Sequence, residues 1–145
     1  GGDASEWANR EVVPLLAQIR AWANLSYQIE ATFTTLGTGT WETVYTSEDI
    51  PLNSAWELRT NIIATIVTGG VLVGAIAAEL GAGYYRAAGA AVQIGETVVS
   101  RQRTAAGLDI RTQASSNGVV VQVNDGAVGV MSARAYMTTR QNPLP

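Results

Sequence analysis

The sequence contains no cysteine and no histidine, and all nine of its basic residues are arginine, so lysine is missing as well. Without cysteine there is neither a disulfide framework nor a thiolate metal site. Without histidine and lysine the chain lacks the commonest general base, the commonest metal ligand and the usual Schiff-base nucleophile. A hydroxyl nucleophile would need a carboxylate or a terminal amine to activate it. Charged residues are only 14% of the chain and the net charge is −3, with no basic block. Binding to a phosphate backbone therefore has little electrostatic support. No apolar run reaches the ~20 residues of a membrane-spanning helix, and no signal peptide is visible. These absences point away from an enzyme, from nucleic acid and from membrane insertion, and they leave no cofactor to expect.

What is present is a chain of 145 residues, long enough for one domain with a real core. Its organising stretch is residues 54–67, SAWELRTNIIATIV. Alternate residues put Trp56, Leu58, Thr60, Ile62, Ala64 and Ile66 on one face. Glu57, Arg59, Asn61, Ile63, Thr65 and Val67 take the other. That is a long strand with one buried face and a second face that is wet at its start and drier at its end. Residues 27–35 and 41–46 alternate in the same way, separated by Gly37-Thr38-Gly39. Residues 71–91 are rich in alanine and glycine. Gly74, Gly81, Gly83 and Gly89 argue against a continuous helix, so the spacing predicts a strand over 73–86 and a turn at Ala87-Ala88-Gly89. Further strands are expected over 91–103, 108–114, 119–124 and 131–139. Ser115-Ser116-Asn117-Gly118 is the strongest hairpin signal, because Asn-Gly suits the positive φ angles of a tight turn.

Residues 1–26 read differently. Asp3 with Glu6 makes an approximate capping box, and Ala8, Val12, Leu15, Ile19 and Trp22 recur at four-three-four-three spacing, a heptad seam. Pro14 interrupts it, at a cost of about 3 kcal/mol if it lies inside a helix. The expectation is a helical stem or anchor of roughly 30 Å. Its seam either joins copies of the chain or packs on the β domain. The domain plan is thus 1–26 stem, 27–140 β domain and 141–145 tail, with the Pro-rich QNPLP tail outside the sheet. The fold class is mainly β: an N-terminal α-helix, then an antiparallel β-sandwich or jelly roll of about eight strands.

Candidate chemistry is thin. Glu48-Asp49, with Glu42 and Glu57 nearby in sequence, could form a carboxylate pair, but adjacent acids in a polar loop are far more often solvated. Glu48, Asp49, Asn53 and Asn124-Asp125 offer oxygen ligands for calcium without a spaced Asp-x-Asp motif. Gly81-Ala82-Gly83 lacks the third glycine and the helix of a phosphate loop. No catalytic or metal residue is assigned. Trp41, Tyr84 and Tyr85 are the candidate ligand-facing aromatics, since aromatic rings stack on sugars. At strand spacing such rings are more often core.

The order EVVPLLAQIRAWAN, then GTGTWETVYTSEDIPLNSAWELR, GYYRAAGAAVQIGETVV and LDIRTQASSNGVVVQVND resembles bacteriophage virion proteins. In these an N-terminal helix leads into a β-sandwich of a tail fibre or head spike. The resemblance implies a non-enzymatic structural protein of the virion, assembled in the host cytoplasm. It implies a homotrimer whose seam is Ala8, Val12, Leu15, Ile19 and Trp22. Its partners would be other virion proteins and a cell-surface glycan, and its role host attachment or capsid decoration. The alternative is a stand-alone carbohydrate-binding module using Trp41 or the Tyr84-Tyr85 pair.

Overall fold

A computed structural model describes residues 26–143, with side chains described for residues 28–142. The expected N-terminal helix, and with it Ala8, Val12, Leu15, Ile19 and Trp22, lies outside the described residues. The described residues form eight strands: β1 (Ser26–Thr34), β2 (Trp41–Thr46), β3 (Ser54–Thr68), β4 (Val71–Arg86), β5 (Val92–Arg103), β6 (Asp109–Ser115), β7 (Gly118–Asn124) and β8 (Val130–Pro143). All pairings are antiparallel. One sheet has five strands in the order β1-β8-β3-β4-β5, and the other has three in the order β2-β7-β6.

β3 is the middle strand of the larger sheet, paired with β4 along one side and β8 along the other. Its even-numbered residues from Ser54 to Ile66 are all buried. The period of two therefore sets which face of the whole sheet is inside, because a one-residue slip would expose the entire row. β4 answers with Ile76, Ala78, Leu80, Ala82 and Tyr84, large and small in alternation. Val119, Val121, Val123 and Ile110 of the smaller sheet complete the same hydrophobic cluster. In the larger sheet β3-β4-β5 is a meander and β8 returns beside β3, which is a Greek-key order. A jelly roll needs two such keys. The smaller sheet holds only the β6-β7 hairpin and β2, so the chain is the sandwich of the two expected forms.

Three local expectations are corrected. The tail does not leave the sheet at residue 140. β8 runs on to Pro143, pairing Gln141 with Trp56 and Asn142 with Ala55. The Trp56 indole N–H donates to Gln141 Oε1 at 2.9 Å, so residue 141 completes the environment of a buried ring. The β6-β7 hairpin turns at Ser115–Gly118 as expected, but the positive φ falls on Ser116 and not on the Asn-Gly pair. Ser115 pairs with Gly118, and Ser116 takes the positive φ of 53°. Gly118 is glycine for another reason: a Cβ there would sit 2.7 Å from the Glu48 carbonyl oxygen. β4 also starts earlier than expected, at Val71, because Gly69 and Gly70 both adopt positive φ and make a two-residue hairpin turn.

Where the two sheets meet at their β5 and β6 edges, side chains replace a backbone ladder. Gln93 donates to the Tyr84 hydroxyl (2.9 Å) and to the Thr112 carbonyl (3.1 Å). Glu96 accepts from both the Thr112 N–H (2.8 Å) and its hydroxyl (2.6 Å). Tyr84 donates to the Thr112 hydroxyl. Burial pushes the Tyr84 phenol above its ordinary value, with the Glu96 charge adding to the rise, while hydrogen bonds to Thr112 and Gln93 oppose it. The ring stays neutral and a donor. Tyr84→Phe removes one buried donor and takes one of the two acceptors from the Gln93 amide, which keeps the Thr112 carbonyl. A loss of about 1–2 kcal/mol is therefore expected in urea unfolding. The Thr60 and Thr139 hydroxyls, by contrast, are buried without a partner. Thr60→Val is expected to raise stability by about 1 kcal/mol in the same assay, since the unpaired hydroxyl costs more than it returns.

Candidate functional site

Three strands cannot cover five. Among the described residues the smaller sheet covers the inner face of the larger one, and no other strand packs on the outer face. On that outer face one row reads Glu30, Tyr136, Asn61, Glu79, Ser100 across β1, β8, β3, β4 and β5. The next reads Gln28, Thr138, Arg59, Gly81, Thr97. Small residues on β4 (Ala75, Ala77, Gly81, Gly83) make a floor, and side chains of β3 and β5 stand on either side. The result is a trough along β4 with two neighbouring hollows. One, of about 210 Å³, is lined by Asn61, Ile63, Ala77, Glu79, Gln102 and Tyr136. The other, of about 430 Å³, is lined by Glu57, Arg59, Gly81, Gly83, Ile94 and Val99.

The β5 wall comes from two irregularities in its register with β4, which leave Val99 and Ile94 as extra residues. Such bulges re-aim side chains and strengthen local twist. Ile94 stands 67% exposed and Val99 52% exposed. On the β3 side, Glu57 accepts from Arg140 at 2.8 and 3.2 Å and meets Arg59 at 3.4 Å. The Arg140 hydrogen bonds hold the Glu57 carboxyl below its ordinary value. Arg59 also reaches Glu79 at 3.7 Å, and Arg134 reaches Glu30 at 3.5 Å. Each carboxylate of this face is therefore matched by an arginine of the same face. Such exposed pairs add little stability, but they leave the face locally neutral.

The aromatic candidates do not converge. Tyr84 is fully buried and bonded to Thr112, so it cannot face a ligand. Its side chain points to the inner face because its neighbour in sequence, Tyr85, takes the outer one. Tyr85 is on the open face, opposite Ala55 and Val92, at one end of the trough. Trp41 is on the other sheet, half-buried, with the Arg111 guanidinium 4.1 Å from its ring centroid. That cation–π contact occupies one face of the indole, and Arg111 is fixed there by Gln122 Oε1 at 2.8 Å.

The acidic candidates are likewise apart. Among the described residues no group of three His, Cys, Asp or Glu could hold a metal ion. Glu42 accepts from the Leu36 N–H, Glu57 is paired with Arg140, and Glu48 and Asp49 stand exposed in the loop before β3. Asp125 is the informative one. It is fully buried, and its oxygens accept from the Thr35 hydroxyl (2.6 Å) and the N–H groups of Gly37 (2.8 Å), Gly39 (2.8 Å) and Ala127 (3.0 Å). Four donors surround it, so it offers no open lone pair to a cation. It is a structural anchor joining the β1-β2 loop to the β7-β8 loop. Sequence reasoning missed the trough because Ile94 and Val99 owe their placement to bulges, which alternation alone does not reveal.

No protein-family model matches the chain, and no curated protein sequence does. Among solved structures, the fold is similar to part of the tailspike protein of Acinetobacter baumannii phage AM24. The TM-score is 0.56 over 79% of this chain, at 11% sequence identity, and the match covers 26% of the tailspike chain. The likeness is one of fold, and the chain corresponds to about a quarter of that longer protein.

Burial works to raise the Asp125 pKa, but the bonds from Thr35, Ala127, Gly39 and Gly37 outweigh it and hold the carboxyl below its ordinary value. A lowered folded pKa contributes stability above the ordinary aspartate range, near ~4, that is lost as pH falls through the folded value. Asp125→Ala should cost about 3 kcal/mol at neutral pH and less in acid, read from urea unfolding at pH 7 and below pH 4. An equal cost at both pH values would contradict the assignment.

Proposed function

We propose that this chain is a non-enzymatic structural module of a bacteriophage virion: a fibre or spike knob, or a capsid decoration protein, acting as a homotrimer in host attachment or particle stabilisation. The observation that carries this reading is the sandwich itself. It is similar in fold to a segment of a phage tailspike, and its larger sheet presents a broad outer face that the smaller sheet does not cover. The absence of histidine, lysine and cysteine from the whole sequence supports a role in holding and touching rather than in turnover. The heptad spacing of Ala8, Val12, Leu15, Ile19 and Trp22 supports association of copies through the N-terminal segment, since a seam this short is marginal alone and gains from a joined β body. A virion location and contacts with other virion proteins follow from the same reading. A cell-surface glycan remains a candidate partner of the open face through Tyr85 and Tyr136. A stand-alone carbohydrate-binding module is the weaker reading, because Tyr84 is core and Arg111 covers one side of Trp41.

Light scattering of the full chain at micromolar concentration tests the reading. The expected molar mass is three times the 15.2 kDa of one chain. A clean monomer would contradict it.

A further inference from the structure

We infer that the open side of β3, β4 and β5 is the surface on which a second copy of this chain docks. The inference rests on the homotrimeric reading and assigns that assembly a face on the β body.

The first argument is size. Six large aliphatic side chains of these three strands that face this side or sit at its bulges are exposed: Ile63 (59%), Leu72 (65%), Val73 (46%), Val92 (44%), Ile94 (67%) and Val99 (52%). At on the order of 100 Å² for a whole aliphatic side chain, they leave roughly 330 Å² of apolar surface in water. Specific interfaces are about 57% apolar, so this amount belongs to a face of roughly 600 Å². That is the lower end of what each partner buries in a stable complex.

The second argument is charge. The outer face carries Glu30, Glu57 and Glu79 against Arg59, Arg134 and Arg140, and these are already joined in four ion pairs within the chain. Copies of one chain bring the same charges into one assembly, so a face of one dominant sign would repel its own kind. This face is neutral and suffers no such penalty. A nucleic acid would find no excess positive charge on it.

The third argument is shape. β4 presents Ala75, Ala77, Gly81 and Gly83 outward, and a Cβ added at Gly81 would meet nothing within 4 Å. A neighbouring backbone can therefore approach the floor closely, with Ile63 on one wall and Ile94 and Val99 on the other. The bulges of β5 twist its edge and hinder simple edge-to-edge strand addition, which favours contact through the face.

The test uses the full chain carrying Ile94→Arg, Ile63→Arg or the milder Val99→Ser, with Leu36→Arg as a control at an exposed site away from the face. Molar mass by light scattering is read alongside far-UV circular dichroism. The Arg variants should keep the native spectrum and fall towards the monomer mass, and Val99→Ser should raise the dissociation constant about ten-fold or more. Leu36→Arg should leave the mass unchanged. Native-like mass and affinity in all three face variants would overturn the inference while leaving the homotrimer standing. A monomeric native chain would overturn the homotrimer and the inference together. Should an Arg variant lose the native spectrum, Val99→Ser alone decides: an unchanged dissociation constant overturns the face assignment.

Discussion

The mismatch between five strands and three governs this molecule. A twisted sheet needs one apolar face covered, and the period of two in β3 decides which face that is. The smaller sheet covers the rows that end in Trp56, Leu58, Ile62 and Ile66 and their partners on β4 and β8. It does not extend under all of β5, whose side chains are exposed along nearly its whole length. Everything distinctive about the surface follows from this inequality. The inner face is core, the edges need closing by other means, and the outer face is left as a trough.

The two margins of the sandwich are closed by polar groups. On the β5-β6 side, Gln93 and Glu96 reach across to Thr112, and Tyr84 joins them from below. On the β1-β2 side, Asp125 gathers four donors from two loops, and Thr35 bonds the Met131 backbone in both directions. Buried polar networks of this kind stabilise only when every member is satisfied. Nearby glycines let the loops come together: Gly126, at a φ of 64°, lies so close to Gly107 that an added Cβ would be 2.8 Å from its carbonyl carbon.

Much of this architecture was legible in the chain. The alternation in β3 named its buried row residue by residue, and the glycines of 71–91 correctly argued for strand over helix despite the alanine content. Legibility failed where tertiary contacts override local preference. The hairpin at Ser115–Gly118 is where the sequence puts it, but Gly118 is small because Glu48 approaches it, not to supply a positive φ. The Pro-rich end reads as a tail, but Gln141 has a buried indole to satisfy. Asp125 reads as an oxygen ligand, but its loops supply the donors. Tyr84 and Tyr85 were separable only by the rule that neighbours on a strand face opposite ways, and that rule needed the register of β4. The trough was hidden for a related reason: bulges displace Ile94 and Val99 from the period on which sequence patterns depend.

The proposed assembly turns on one sheet face, the side of β3, β4 and β5 that the smaller sheet does not cover. The account stands or falls on whether that surface is covered when copies associate. Hydrogen–deuterium exchange of the full chain, compared at high and low protein concentration, measures this directly. The account predicts that amides of β4 and β5 exchange more slowly at high concentration while those of β2 and β7 do not change. Equal exchange in β4 and β5 at both concentrations, in a chain that remains associated at the higher one, would contradict it.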